Sequence, residues 1–237
     1  MRYSKVLNGT FIERPNRFIA YVMLENGEIA RCHVKNTGRC RELLQKGAGV
    51  ILEDCRRPDS KRSTDYDLIA VYKNGLLINM DSQAPNEAAF EWVCEGGFTC
   101  GRPVVNARRE VKYNQSRFDI YYESDGCQCF LEVKGVTLEE NGIVRFPDAP
   151  TERGVKHLKE LMKAREEGYG AGILLVIQME KAKCFEPNYE TDRKFGETLK
   201  EAYDSGVTVR AVTCKVSPDE MIIDKDIPIS LCRKITN

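Results

Sequence analysis

Residues 116–135 read SRFDIYYESDGCQCFLEVKG, two short runs rich in aromatic and aliphatic residues on either side of Asp125-Gly126. Asp-Gly is a strong two-residue hairpin turn, because a type I′ turn needs positive φ at both central positions and these residues tolerate it. With that turn, Ser124 faces Cys127, Asp119 lies opposite Glu132, and Arg117 lies opposite Lys134. Side chains alternate faces along a strand. Phe118, Ile120 and Tyr122 therefore share an apolar face with Cys129, Leu131 and Val133, while Asp119, Tyr121, Glu132 and Lys134 occupy the other. Opposed residues have Cβ atoms roughly 5 Å apart, where two carboxylates repel, so a positive charge is expected between them. On a solvated face Lys134 and Arg117 supply it. If the acids are ligands, a divalent cation supplies it, since hard cations take carboxylate oxygens and keep waters for chemistry. Lys134 would then orient the attacking water or stabilise charge on a phosphate.

The flanking sequence extends this hairpin into a domain. Upstream, DSQAPNEAAFEWVCEGG (81–97) predicts a capped helix over about Pro85–Glu95, and PVVNARREVKY (103–113) predicts a strand. Downstream, Pro147 and Pro150 punctuate a loop, Asp148 or Thr151 can cap, and a helix is expected over Glu152–Glu167, ending before Gly168. The apolar run AGILLVIQM (171–179) fits a buried strand reached by a helical crossover. The order helix, three strands, helix, strand, with an acid followed by Glu-x-Lys on the middle strands, is similar to the core of the PD-(D/E)xK nuclease superfamily.

Seven blocks carry a more specific resemblance: FIERPNRF (11–18), HVKNTGRCREL (33–43), DSQAPN (81–86), EVKYNQSRFD (110–119), LEVKGVTL (131–138), FPDAPTERGVKHLKEL (146–161) and VIQM (176–179). In this order they resemble the sugar fermentation stimulation protein A family. The resemblance implies an N-terminal all-β OB-fold-like barrel, residues 1–82, that binds nucleic acid, and a C-terminal α/β domain of PD-(D/E)xK nuclease type, residues 83–237. It also implies DNA as partner, without strong sequence specificity, and a link to regulation of sugar use, notably maltose. Asp119 matches the motif's first strand acid, Glu132 its second and Lys134 its lysine, with Asp119 and Glu132 holding Mg²⁺ or Mn²⁺. The first acid follows Phe118 where the motif name has proline. The superfamily often adds an acid from the first helix, for which Glu91 is the candidate and Glu87 and Glu110 are rivals.

The N-terminal part leans basic although the chain is formally neutral. Residues 1–84 hold 14 Lys and Arg against 10 Asp and Glu, so the remainder carries the compensating negative charge. Short strands are expected at Lys5–Ile12, Arg17–Leu24, Glu28–Val34, Gly49–Glu53, Asp67–Tyr72 and Leu76–Asn79. Arg14, Arg17, Lys35, Arg39 and Arg41 fall in the intervening loops, as do Arg56, Arg57, Lys61 and Arg62; they are candidate phosphate contacts, and Phe18 or Tyr66 could stack on bases. Asn36-Thr37-Gly38 reads either as a turn ending a strand or as a backbone approach to phosphate beside Arg39.

On the helix after Pro150, Arg153, Lys156, His157 and Glu160 share a polar face, while Val155, Leu158, Leu161 and Met162 can pack on the sheet. Arg153 and Lys156 are candidates for holding the nucleic-acid backbone, with Asp148 or Thr151 completing the rim. Gln178, a polar residue ending a buried strand, needs a partner and is a further site candidate. A helix over Asp192–Ser205 and a strand over Val207–Lys215 close the α/β layer, and the tail MIIDKDIPISL (221–231) reads as a last strand, an edge one as Pro228 within it suggests. The ten cysteines include no Cys-x-x-Cys and accompany only two histidines, a poor start for zinc. No run suits a membrane span or signal peptide, so the protein is expected to be cytoplasmic. Besides a DNA-binding regulator, two alternatives stand: an active magnesium-dependent endonuclease, and a protein-interaction module without nucleic acid, which suits the zero net charge.

Overall fold

The computed structural model describes residues 1–36, 38–58 and 61–232. The chain divides into two compact units: Met1–Ala84 with Gln178–Glu180 and Cys214–Ile222, and Pro85–Ile177 with Lys181–Thr213 and Ile223–Asn237. The first unit thus ends two residues beyond the expected boundary and takes two segments from far downstream.

In the first unit, β1 (Val6–Asn16), β2 (Ile19–Leu24) and β3 (Ile29–Val34) form an antiparallel meander. β4 (Gly49–Asp54) pairs with β1, and β5 (Tyr66–Lys73) pairs with β4 and, in parallel, with β3, which closes a five-stranded OB barrel. β6 (Leu76–Asn79) adds to β5. All six expected strands form, with ends shifted by a few residues. β1 pairs β2 on one edge and β4 on the other, and its register with β2 slips on either side of Glu13, an irregularity of the kind that bends a strand. Gly9 lies where β1 crosses β2, and a Cβ there would meet Val22 at 2.4 Å. β4 and β5 are buried on both faces: Val50, Leu52 and Leu68 have neighbours Ile51 and Ile69 that pack with Tyr3 in a second layer.

The second unit is built on a six-stranded sheet. α1 (Ala84–Cys94) precedes β7 (Val105–Tyr113), β8 (Ser116–Ser124) and β9 (Cys127–Val136), an antiparallel set. Asp125 and Gly126 have φ of 50° and 75°, the expected type I′ turn, and the register runs from Ser124↔Cys127 to Ile120↔Leu131 as the turn dictates. Next come β10 (Leu138–Glu140) and β11 (Ile143–Phe146), then α2 (Glu152–Glu166) and β12 (Gly170–Ile177). β12 lies parallel to β9, and its continuous apolar run is buried on both faces. β13 (Cys184–Pro187), α3 (Arg193–Asp204), β14 (Thr208–Ser217) and β15 (Glu220–Asp226) follow, and the main sheet has the order β15-β14-β12-β9-β8-β7.

A small sheet, β10-β11-β13, lies outside the elements expected from the sequence. Its hairpin turns at Asn141-Gly142, with φ of 56° and 85°, so the signal was present in the letters. Of the two caps proposed for α2, Thr151 forms it, accepting from the Gly154 amide at 3.0 Å; Asp148 is exposed. Asp192 caps α3 in the same way. No helix among the described residues is long and apolar enough to cross a membrane. All ten cysteines are free thiols.

Candidate functional site

β8 and β9 separate where the hairpin's regular pairing ends, one step beyond Ile120↔Leu131. There the Asp119 side chain takes over from the backbone: its Oδ2 accepts the Val133 amide at 2.8 Å. Oδ1 accepts the Asn86 side-chain amide of α1 at 2.9 Å. Glu132, only 2% exposed, accepts Lys134 Nζ at 2.5 Å and His157 Nδ1 of α2, both on Oε1. Its other oxygen, Oε2, is buried without a hydrogen-bond partner. A buried carboxylate oxygen left this way carries a desolvation cost of about 1–3 kcal/mol, more when ionised.

The solvated-face reading is therefore corrected. α2 packs against β8 and β9, and Tyr121, Phe130 and Glu132 are buried along with Ile120 and Leu131. Arg117 does not approach the acids; it is exposed and pairs with Glu110 at 2.6 Å. Strict alternation also fails at Phe118, whose ring lies 5.5 Å from Phe130 and 6.2 Å from His157, beside Glu132. Burial and the Glu132 charge push the Asp119 carboxyl up to about 6, against the Val133 amide, Lys134 and Asn86. Burial acts the same way on Glu132, but His157 and Lys134 outweigh it and hold Glu132 below its usual value. The pair thus differs in proton affinity, one acid readily protonated and one held ionised.

Asp119, Glu132 and Lys134 are brought together. Glu91 is not: it is exposed and adds its charge beside Arg109. Glu87 is turned to Arg109 in a two-pronged pair at 2.6 and 2.9 Å, and Glu110 pairs with Arg117. The α1 residue that reaches the hairpin is Asn86, a neutral side chain that a search for a third acid passes over. His157 was also assigned to a polar helix face, yet it is 5% exposed. An imidazole is small enough to be enclosed once a carboxylate takes its N–H. Gln178 is buried in the first unit, where it donates to Asn79 Oδ1 at 3.1 Å and the Asp81 carbonyl at 3.0 Å. Thr151 is occupied as a cap, with its own amide on Asp192. Arg153 and Lys156 are exposed on α2; Lys156 donates to the Gln115 carbonyl at 3.1 Å.

Several basic candidates of the barrel are engaged within it: Arg56 on Asp54, Arg62 on Asp67, and Arg14 and Lys35. The Arg14 guanidinium donates to four carbonyls, those of Arg17, Asn36, Gly38 and Arg39, at 2.6–2.9 Å. Asn36 accepts the Gly38 amide at 2.7 Å and donates to the Met80 carbonyl, so this segment has the hydrogen bonding of a turn; Thr37 lies outside the described residues. Lys35 is paired with the buried Asp81 at 2.6 Å. Arg17, Arg39 and Arg41 are exposed, Arg17 lying over the Phe18 ring at 5.7 Å. Arg14→Ala is accordingly expected to destabilise the barrel by about 2–4 kcal/mol through the stranded carbonyls. Arg39→Ala and Arg41→Ala should each stay within about 0.5 kcal/mol. Chemical denaturation of the three variants checks the ranking, and equal losses would refute the clamp.

Glu53, Cys55 and Asp67 place ligand atoms within 4.8 Å of one another in the barrel. Asp67 already accepts from Arg62 and from His33 Nδ1, the latter at 3.2 Å. Burial and Asp67 push the Cys55 thiol up to about 11, so it stays protonated at neutral pH, whereas a metal requires the thiolate. Asp119 and Glu132, by contrast, offer an all-oxygen donor set with one oxygen unengaged, which suits a hard cation.

Comparison with known proteins extends over both units. Residues 83–220 match the family described as "Sugar fermentation stimulation protein RE domain", and residues 12–80 match "SfsA N-terminal OB domain". The chain is 51% identical over 223 residues to the sugar fermentation stimulation protein homolog of Clostridium beijerinckii, covering 94% of this chain and 96% of that one. It is 49% identical over 232 residues to the homolog of Ruminiclostridium cellulolyticum, covering 98% and 100%. A solved structure of Pyrococcus furiosus SfsA in complex with Ca²⁺ aligns with a TM-score of 0.83 at 27% identity, over 97% of this chain and 98% of that one.

Proposed function

The chain belongs to the sugar fermentation stimulation protein family, and from that premise we propose that it binds DNA and carries, on β8 and β9, a divalent-cation site of phosphodiesterase type. The observation that carries the reading is Glu132 Oε2, buried without a partner beside Asp119, a carboxyl pushed up to about 6. Asp119 and Glu132 would hold Mg²⁺ or Mn²⁺. When bound, the cation supplies Lewis-acid polarisation of a phosphoryl oxygen. The chain's own residues do the rest. Asn86 and the Val133 amide fix the Asp119 carboxylate, and His157 fixes Glu132. Lys134, with its side chain 18% exposed, can turn from Glu132 toward a phosphate or the attacking water. Arg153 and Lys156, exposed on α2, can contact the nucleic-acid backbone.

Titrating Mg²⁺ and Mn²⁺ into wild type and Asp119→Ala, then screening the same samples against linear, single-stranded and branched DNA, tests this. Metal binding lost in the variant, with metal-dependent cleavage by wild type only, is expected. The absence of both metal binding and cleavage would sink it. The barrel's share is read from salt dependence: Arg39→Ala and Arg41→Ala should each lower the slope of log affinity against log salt by about 1. An unchanged slope removes those residues from the interface.

One observation favours a second reading, DNA binding without turnover in regulation of sugar (maltose) genes. Lys134 and His157 already donate to Glu132, so a site without a cation is partly neutralised. DNA affinity intact with no metal uptake would select it. Fold alone does not choose between the two.

A further inference from the structure

We infer that His157 is a positioning residue for Glu132: it holds Oε1, so that Oε2 is presented to a cation whether Lys134 stays or leaves for the substrate. The inference rests on the divalent-cation reading above. His157 Nδ1 is within hydrogen-bond distance of Glu132 Oε1. An ionised carboxylate only accepts, so Nδ1 is the donor. Arg153 Nε, a donor, lies 3.5 Å from Nε2. The imidazole stands edge-on to Phe118, with ring planes at 71°, on the second turn of a helix whose start is fixed by Thr151. Its orientation is thus determined on each side.

Oε1 takes two donors of different character. Lys134 sits on a flexible four-carbon stem and its side chain is 18% exposed, whereas that of His157 is 6% exposed. When the ammonium swings to a phosphate, the imidazole remains. Glu132 then keeps a partner and its rotamer, and the second oxygen keeps its direction. Without His157, Oε1 rests on the flexible Lys134 alone and has no donor at each of its departures. Donors that orient a metal ligand in this way typically account for about 10–100-fold in metal affinity.

The test is calorimetric titration of Mn²⁺ into the full chain as wild type, His157→Phe and His157→Asn, with thermal melts of each without metal. Phe retains a ring against Phe118 but loses the donor; Asn loses the ring but keeps an N–H close to the place of Nδ1. The expected result is a Kd weakened about 10–100-fold in His157→Phe and within about threefold of wild type in His157→Asn. The order of thermal stability should be the reverse. Wild-type affinity in His157→Phe, or losses in both variants that follow their melting temperatures, would overturn the inference while leaving the cation reading standing. A wild type that takes up no Mn²⁺ removes the cation reading itself, and this inference with it. Should His157→Phe not fold, His157→Leu takes its place in the same comparison.

Discussion

Asp119→Asn is expected to abolish metal-dependent cleavage while making the metal-free protein more stable at pH 8. The carboxyl titrates near 6 in the folded chain because burial, and then Glu132, disfavour its charge. In the unfolded chain it titrates near the ordinary aspartate value of about 3.9. Below about pH 4 both states are protonated and the site costs nothing. As pH rises from about 4 to about 6, the unfolded chain has released this proton while the folded chain still holds it, so stability on the order of 3 kcal/mol is lost, and it stays lost at higher pH. An amide at position 119 removes that loss. It can still accept the Val133 N–H, and Asn86 can flip its own amide to present oxygen. The melting temperature at pH 8 should rise by roughly 5–10 °C, and the Asp119 contribution to the slope between pH 4 and 6 should vanish. Excess Mn²⁺ should raise the wild-type melting temperature by mass action but leave the variant unmoved. A variant less stable than wild type at pH 8 would show that Asp119 is a structural acceptor rather than an acid held ready for a cation.

Lys134→Met should separate metal binding from turnover. With the ammonium gone, Glu132 keeps His157, the site loses a positive charge, and Mn²⁺ affinity should be equal to or tighter than that of wild type. Cleavage should fall on the order of 10²–10³-fold, the usual loss for a donor aimed at developing transition-state charge. Single-turnover assays at saturating Mn²⁺ measure this directly. Cleavage unchanged in the variant would assign Lys134 to neutralising Glu132 and nothing else.

The two predictions depend on different kinds of information. The hairpin register was legible because Asp125-Gly126 sets it locally and alternation propagates it. Asn141-Gly142 carried the same signal for β10 and β11. β13 carried none: four residues ending in proline become a strand only because β11 runs beside them. The helices over 152–166 and 193–204 follow from capping residues and 3.6-residue periodicity, both local.

Sequence by itself therefore determined the order of the main strands and helices, the barrel and sheet classes, and the pairing that sets Asp119 near Glu132, but not the small sheet of β10, β11 and β13. Tertiary structure decided which charges are already engaged. Arg14 is used on a turn 22 to 25 residues away, Lys35 on Asp81, and Glu87 on Arg109. It also decided that Asn86, rather than an acid, meets Asp119, and that His157 lies inside. The physical reason is range. Turn and helix preferences act over a few residues and are written in the local letters. The partner of a charge or an amide is whichever group the packed chain brings within about 3 Å, and that depends on every crossover between them.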